Sequence, residues 1–181
     1  MSFDIALTQY LNALSGQNII LDWLMVAITQ VGPYILVGAI AIRWFPRRKH
    51  STERHLVIQC GLASALSLLL NQLILLGVHR VRPYDLGLTK LLIEKSHDPS
   101  FPSDHATLVF AIVTILLIRR DKWSVPTLIL ASMVCISRVF VGTHFASDVL
   151  GGAAIGIVGA FIANQLYRRL EVVTEKLVRV L

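Results

Sequence analysis

Five long apolar segments limit the environment in which this chain can fold. A helix that crosses a bilayer needs about 20 largely apolar residues, and the mean hydropathy of +0.66 is high enough for several such helices. The segments cover residues 19–45, 56–78, 106–118, 125–141 and 146–167. They predict an all-α integral membrane bundle of five transmembrane helices, or six if residues 1–30 add a crossing. A length of 181 residues then leaves no room for a soluble domain, so we expect one domain over 1–181.

The N-terminal segment and the first apolar segment each allow two interpretations. Residues 1–16 are too short and too polar to cross a membrane, and we expect an interfacial amphipathic helix there; the alternative is a frayed terminus. Because they lack a basic start and contain Asp4, we expect no cleavable signal peptide. In residues 19–45, Gly32-Pro33 interrupts the apolar run, which predicts either one long kinked span or a half-helix followed by a shorter span.

The basic residues mark one face of the predicted bundle. The loops 43–54, 119–122 and 168–179 hold 12 of the 17 Lys and Arg residues, against four acidic residues. By the positive-inside rule these loops are cytoplasmic, including a basic tail over 168–181, and the opposite helix ends are extracytoplasmic. We therefore expect a multi-pass protein of the cell membrane. The net charge of +6 is then a topology signal, which argues against a nucleic-acid partner.

Ionisable residues cluster at the extracytoplasmic ends of three predicted helices. They are Arg82-Pro83 after the second apolar segment, Pro102-Ser103-Asp104-His105 at the start of the third, and Ser137-Arg138 with His144 and Asp148 around the junction of the last two. Such residues are costly at membrane depth and usually serve a function. Since three separate segments bring them to one face, we expect the functional site there.

An anion site is the first expectation for this face. Ser103 stands where an apolar helix begins, so its hydroxyl can cap that helix, and the free N–H groups of the first turn can bind an anion. Arg82 and Arg138 add planar, permanently charged donors for phosphate oxygens. Two alternatives stay open: Arg138 pairs with a buried acid, and Arg82 reaches lipid headgroups.

The histidines add the chemistry of phosphate-ester cleavage. His144 and Asp148 lie four residues apart, which on a helix places them within hydrogen-bond reach. A carboxylate on one ring nitrogen leaves the other nitrogen free as a nucleophile. His105, at the start of another helix, can protonate a leaving group, and the arginines can stabilise the charge that develops on the phosphoryl oxygens.

A metal site is the alternative interpretation, because His144, Asp148, Asp104 and His105 could together ligate zinc. The two arginines would oppose the cation, however, and the sequence has no HExxH motif. Cys60 and Cys135 lie in apolar segments, where we expect small core residues rather than a disulfide or a metal pair. We therefore expect no metal and no cofactor.

These residues resemble the three motifs of the type 2 phosphatidic acid phosphatase (PAP2) superfamily. The matching residues are Arg82-Pro83, Pro102-Ser103-Asp104-His105 and Ser137-Arg138-x5-His144-x3-Asp148. The resemblance implies that His144 is the phosphorylated nucleophile, that His105 protonates the leaving oxygen, and that no metal is required.

Two positions depart from the family's pattern. The first motif usually has a lysine seven residues before its arginine, where this chain has Leu75; Arg80 and His79 are candidate substitutes. The second motif usually has glycine where this chain has Asp104. With both departures the chain is similar to the bacterial undecaprenyl pyrophosphate phosphatases linked to bacitracin resistance. Asp104 is expected to carry or share a proton and to contact the second phosphate of a diphosphate; alternatively it caps the helix or pairs with Arg80 or Arg82.

The predicted function is metal-independent hydrolysis of a lipid phosphate or diphosphate at the outer membrane face, foremost undecaprenyl diphosphate to undecaprenyl phosphate. The predicted catalytic residues are His144, His105 and Asp148, the phosphate-binding residues Arg82, Ser103 and Arg138, and the substrate-tuning residues Asp104 and Arg80. The lipid substrate and the bilayer are the expected partners, with no obligate protein partner. The alternatives are a phosphatase for phosphatidylglycerophosphate, phosphatidic acid or a lipid A phosphate, a phosphotransferase, and a carrier that binds a lipid phosphate without cleaving it.

Overall fold

The computed structural model describes residues 3–45 and 50–170, apart from the side chains of residues 50 and 51. These residues form α-helices and one 3₁₀ turn, with no strand among them. The elements are α1 Phe3–Asn12, α2 Ile19–Ala41, the 3₁₀ turn Ile42–Trp44, α3 His50–Leu75, α4 Asp104–Ile118, α5 Ser124–Phe140 and α6 Ala146–Arg169. The predicted all-α fold is therefore confirmed. Residues 46–49 and most of the basic tail over 168–181 lie outside the described residues.

Three stretches of the described chain are long and apolar enough to cross a membrane. They are Ile19–Trp44, Thr52–Leu75 and Ala146–Arg169. Helices α4 and α5 are apolar but shorter, with 15 and 17 residues. The predicted count of five or six spans therefore stays a prediction, as does the interfacial position of α1.

The first apolar segment forms one continuous helix, so the half-helix alternative is wrong. Asn18 caps its start, because the side-chain oxygen of Asn18 accepts hydrogen bonds from the backbone N–H groups of Ile20 and Leu21. Pro33 lies inside α2 and is buried. A Cβ at Gly32 would come within 2.9 Å of the Val134 side chain. The small residue at this position therefore lets α2 approach α5 closely.

From α2 to α6, consecutive helices run in opposite directions, which gathers the motif-bearing helix ends on one side. The start of α4 meets the end of α3 there, since Thr107 donates a hydrogen bond to Asn71 across 2.9 Å. At the opposite end, Arg43 binds Glu53 and Asp121 across 2.6 and 2.7 Å. Helix α4 is the most buried helix and packs against α3, α5 and α6.

Glycines of α6 bring it into backbone contact with α4. A Cβ at Gly152 would collide with the carbonyl oxygen of Ser103, and a Cβ at Gly156 would collide with the carbonyl oxygen of Thr107. Small residues allow this close approach of helices. The contact fixes the start of α4 beside the start of α6, where two of the three motifs lie.

Candidate active site

His144 lies in the short connection between α5 and α6, outside the helices. Its Nδ1 is 2.7 Å from the backbone carbonyl oxygen of Ser100. A carbonyl oxygen only accepts hydrogen bonds, so Nδ1 carries the ring proton and Nε2 presents its lone pair. The imidazole is buried, and Nε2 is therefore its free ring nitrogen.

The expected direct hydrogen bond between His144 and Asp148 is replaced by a relay. Because His144 precedes α6 instead of lying on it, the two side chains do not follow the helical spacing, and Nδ1 stays 3.7 Å from the nearer carboxylate oxygen. That oxygen accepts hydrogen bonds from the Ser100 hydroxyl across 2.5 Å and from the Phe145 backbone N–H across 2.8 Å. Asp148 therefore holds Ser100, and Ser100 holds the ring of His144.

Two buried guanidinium groups converge on His144 Nε2. Arg138 Nη2 lies 3.2 Å from it and Arg82 Nη1 lies 3.4 Å from it. Arg82 and Arg138 are only 6% and 7% exposed. Neither forms an ion pair with any carboxylate of the described residues. The alternative in which Arg138 pairs with a buried acid is therefore not found among the described residues.

Neutral groups hold the two arginines in place. Arg82 donates to the carbonyl oxygens of Asp98 and Thr143 across 2.8 and 3.0 Å, which ties it to the long loop after α3. Arg138 donates to the hydroxyl of Thr29 on α2 across 3.1 Å. Since carbonyls and hydroxyls leave the positive charges uncompensated, an anionic ligand would complete the site.

Ser103 occupies the residue before α4, as predicted, but its side chain does not cap the helix. The Ser103 hydroxyl and Arg138 Nε are both buried and find no hydrogen-bond partner within the described part of the chain. Such unpaired buried polar atoms are rare in folded proteins and call for an explanation. A phosphoryl oxygen is an acceptor that suits both.

A cavity of about 130 Å³ borders His144. Its lining residues are Leu75, Arg82, Ser96, Asp98, Pro99, Pro102, Asp104, His105, Arg138 and His144. The structure thus brings both histidines and both arginines to one small cavity. Leu75 lines it at the position of the family's usual lysine.

Arg80 and Asp104, the two residues expected to tune substrate choice, lie on different sides of the site. Arg80 binds Asp148 and Asp4 across 2.6 and 2.7 Å, so it supports the relay and is absent from the residues that line the cavity. Asp104 lines the cavity and accepts a hydrogen bond from the Asn71 side chain. The alternatives that pair Asp104 with Arg80 or Arg82 are therefore not found.

Three residues of the site were not predicted from the sequence. Ser100, Asn71 and Asp4 bind the motif residues from the loop after α3, from α3 itself and from α1. No local pattern marks them, because each acts through a contact between distant parts of the chain. The polar segment 79–104 before α4 is long for a loop, and long loops often serve a function.

The described residues contain no group of three or more His, Cys, Asp or Glu side chains arranged to hold a metal ion. His144, His105, Asp104 and Asp148 all belong to those residues. The zinc alternative needs these side chains to converge on one point, and they do not.

Comparison with known proteins decides the family. Residues 56–171 match the PAP2 superfamily, which is more than half of the chain and includes all three motifs. The chain belongs to the PAP2 superfamily. This PAP2 protein is 34% identical over 154 residues to the undecaprenyl-diphosphatase BcrC of Bacillus subtilis, covering 84% of this chain and 78% of that protein. It is also 34% identical over 107 residues to the phosphatidylglycerophosphatase B of Bacillus subtilis, covering 53% of this chain and 50% of that protein.

The crystal structure of LpxE from Aquifex aeolicus has a similar fold. The TM-score is 0.76 at 25% sequence identity, and the match covers 91% of this chain and 96% of that one. With its apolar helices and these membrane relatives, this PAP2 protein is an integral membrane protein and a lipid phosphatase.

Proposed function

We propose that this PAP2 protein hydrolyses undecaprenyl diphosphate to undecaprenyl phosphate through a phosphohistidine at His144. The observation that carries the proposal is the convergence of Arg82 and Arg138 on His144 Nε2, with no carboxylate partner for either among the residues that the structure describes. A buried cation without a counterion is costly, so two of them around a nucleophilic nitrogen favour an anionic substrate at that point. A terminal phosphoryl group supplies that negative charge.

The reaction proceeds in two steps. In the first, His144 Nε2 attacks the terminal phosphorus, an N–P bond forms, and the bond between phosphorus and the leaving oxygen breaks. His105, which lines the same cavity, donates its proton to that oxygen. In the second, His105 takes a proton from water, the resulting hydroxide attacks phosphorus, and the N–P bond breaks to release inorganic phosphate.

The surrounding residues stabilise the charge that develops in both steps. Arg82, Arg138 and Ser103 donate hydrogen bonds to the phosphoryl oxygens, whose negative charge peaks in the transition state. The Ser100 carbonyl oxygen keeps the proton on His144 Nδ1, and Asp148 holds Ser100 through its hydroxyl. Its negative charge also favours the positively charged imidazole of the phosphohistidine.

The choice of lipid rests on two features of the chain. Asp104 stands in the cavity wall where the family usually has glycine, and Leu75 stands where it usually has lysine. An aspartate that carries a proton can donate a hydrogen bond to the second phosphate of a diphosphate. A leucine in place of the usual lysine leaves room for that phosphate. The relative named undecaprenyl-diphosphatase supports the same choice. The second candidate is a phosphatase for another lipid phosphate, favoured by the similarity to phosphatidylglycerophosphatase B.

We place the reaction at the extracytoplasmic face of the cell membrane. The cavity lies at the helix ends opposite the basic loop at 119–122, and the positive-inside rule makes that loop cytoplasmic. The lipid tail would then lie along the apolar helices below the cavity, within the outer leaflet.

Phosphate release from a panel of lipids in detergent tests the proposal. We expect turnover of undecaprenyl diphosphate to exceed that of phosphatidylglycerophosphate, phosphatidic acid and a lipid A phosphate. His144→Ala should abolish release, whereas His97→Ala, an exposed histidine on the same side of the bundle that does not line the cavity, should keep it. Binding of the lipid without phosphate release would make the protein a carrier, and preference for a monophosphate lipid would favour the second candidate.

A further inference from the structure

Helix α1 turns a polar stripe toward the rest of the protein. Asp4, Thr8 and Asn12 follow one another at intervals of four residues, which places them on one helix face. Thr8 and Asn12 are buried, whereas Phe3 and Tyr10 are largely exposed. A surface helix of a water-soluble protein buries its apolar face and exposes its polar face, so α1 shows the reverse arrangement. The polar stripe therefore contacts the rest of the protein through hydrogen bonds.

The polar stripe completes the start of α6. The backbone N–H of Ala146 donates to the Thr8 hydroxyl across 3.0 Å, and that of Ser147 donates to Asp4 across 2.9 Å. The first N–H groups of a helix have no partner inside it. Side chains of α1 satisfy two of them, directly before Asp148.

A second set of bonds joins α1 to the end of α5. The Asn12 side chain donates to the carbonyl oxygens of Phe140 and Lys90 across 2.8 and 2.9 Å and accepts from the Lys90 N–H across 2.7 Å. Phe140 and Ala146 are the residues at which α5 ends and α6 begins. Helix α1 thus binds both ends of the connection that carries His144.

Asp4 also reaches Asp148 through one intermediate residue. Arg80 Nη2 donates to Asp4 across 2.7 Å, and Arg80 Nη1 donates to Asp148 across 2.6 Å. The Ser147 hydroxyl lies within hydrogen-bond distance of both Asp4 and Arg80. A single positive charge is therefore shared between two carboxylates, and the three charged groups together keep a net negative charge beside His144.

We propose that Asp4 is a positioning residue for phosphoryl transfer, and that α1 belongs to the catalytic unit. Asp4 orients Arg80 and takes up part of its charge, which leaves the Asp148 carboxylate able to stabilise the imidazole when phosphorylation makes it positive. Without Asp4, Arg80 pairs with Asp148 alone and neutralises it. This role rests on the proposed function of His144 as the nucleophile.

Substitution of Asp4 should slow the chemical step and leave lipid binding unchanged, because Asp4 lies outside the cavity. We expect Asp4→Asn to lower kcat for phosphate release about tenfold, as for one lost charged hydrogen bond, and to leave KM unchanged. Asp4→Glu, which keeps the charge, should recover a large part of kcat. Asp22→Asn is the matched control: it also removes one negative charge, but Asp22 binds the backbone N–H of Gly16, with no contact to Arg80 or Asp148.

Melting temperatures separate positioning from simple docking of the helix. If Asp4→Asn lowers the melting temperature but the folded protein keeps the kcat of the wild type, the proposal is wrong. Should Asp4→Asn fail to fold, Asp4→Ser takes its place, since it also removes the charge and a wild-type kcat in the folded variant would equally overturn the proposal. The wild type is assayed beside the variants. Its failure to release phosphate from any lipid refutes the proposed function, whereas activity in the wild type with unchanged kcat in Asp4→Asn refutes only the role of Asp4.

Discussion

The ring nitrogen Nδ1 of His144 donates a hydrogen bond to the backbone carbonyl oxygen of Ser100 across 2.7 Å. A backbone group, and not a carboxylate, therefore fixes the tautomer that leaves Nε2 free. Asp148 acts on the ring indirectly, because it accepts a hydrogen bond from the Ser100 hydroxyl. This division separates orientation of the ring from stabilisation of its charge.

Ser100→Ala and Asp148→Asn should differ because of that division. Ser100→Ala keeps the carbonyl oxygen and loses only the hydroxyl, so we expect a loss of less than about tenfold in kcat. Asp148→Asn removes the negative charge and with it the ion pair with Arg80. We expect it to lower kcat about 100-fold or more, since a charged buried network fails as a unit. Equal losses in the two variants would contradict this order.

The pH dependence of kcat/KM should report His144 in the free enzyme. Burial lowers the pKa of this imidazole to about 4, against the opposing charge of Asp148 and together with Arg138 and Arg82. The nucleophile is then neutral throughout the range from pH 5 to pH 8, and we expect the acidic limb of the profile near pH 4 to 5. A limb at pH 6.5 or above would show a nucleophile with an ordinary pKa.

The lowered pKa of His144 also makes the free energy of unfolding depend on pH. This pKa in the folded state lies below the unfolded value of 6.5, so the unfolded chain binds more protons at acid pH. The contribution of His144 to the free energy of unfolding is fully present above pH 6.5 and is lost as the pH falls toward 4. The melting temperature of His144→Ala should therefore depend less on pH in this window than that of the wild type.

Chelation should leave the activity unchanged. The arginines supply the positive charge that a metal would otherwise bring to the phosphoryl oxygens. Phosphate release measured with and without EDTA tests this expectation. Strong inhibition that a divalent cation reverses would instead support a metal-dependent reaction.

The orientation can be tested with two exposed lysines at opposite ends of the bundle. Lys95 lies in the loop that borders the cavity, and Lys122 lies in the basic turn between α4 and α5. In intact cells, a membrane-impermeant maleimide should label Lys95→Cys and should reach Lys122→Cys only after lysis. The wild type, with Cys60 buried and Cys135 partly buried, gives the background. The reverse pattern would move the reaction to the cytoplasmic face.

Asp104 should matter more for diphosphates than for monophosphates. It lines the cavity, and Asn71 holds one of its oxygens, which leaves the other oxygen for the substrate. We expect Asp104→Gly to lower turnover of undecaprenyl diphosphate more than that of a monophosphate lipid, or to shift the pH optimum with the diphosphate alone. Asn71→Ala, which frees Asp104 without removing it, is the companion variant. Equal effects on both lipids without a pH shift would leave Asp104 a structural role.

Residues that share a motif were predicted from the sequence, and residues that complete the site through distant contacts were not. The start of α4 at Asp104 and the break before α6 follow from apolar segments that begin directly after polar motifs. Helical spacing predicted a direct bond between His144 and Asp148, but it does not apply to a residue that precedes the helix. For Asp4, 76 residues before its partner Arg80, no spacing rule exists.

The backbone contact between α4 and α6 bears on how the site responds to the bilayer. Side chains at a helix interface can change rotamers and so absorb a change in lateral pressure or membrane thickness. At Gly152 and Gly156 no layer of side chains separates α6 from α4, because the glycine backbone meets the carbonyl oxygens of Ser103 and Thr107. Tilt imposed by a thicker or thinner membrane should therefore move both helices as one rigid body. The separation of His105 and His144 would stay constant in bilayers of different composition.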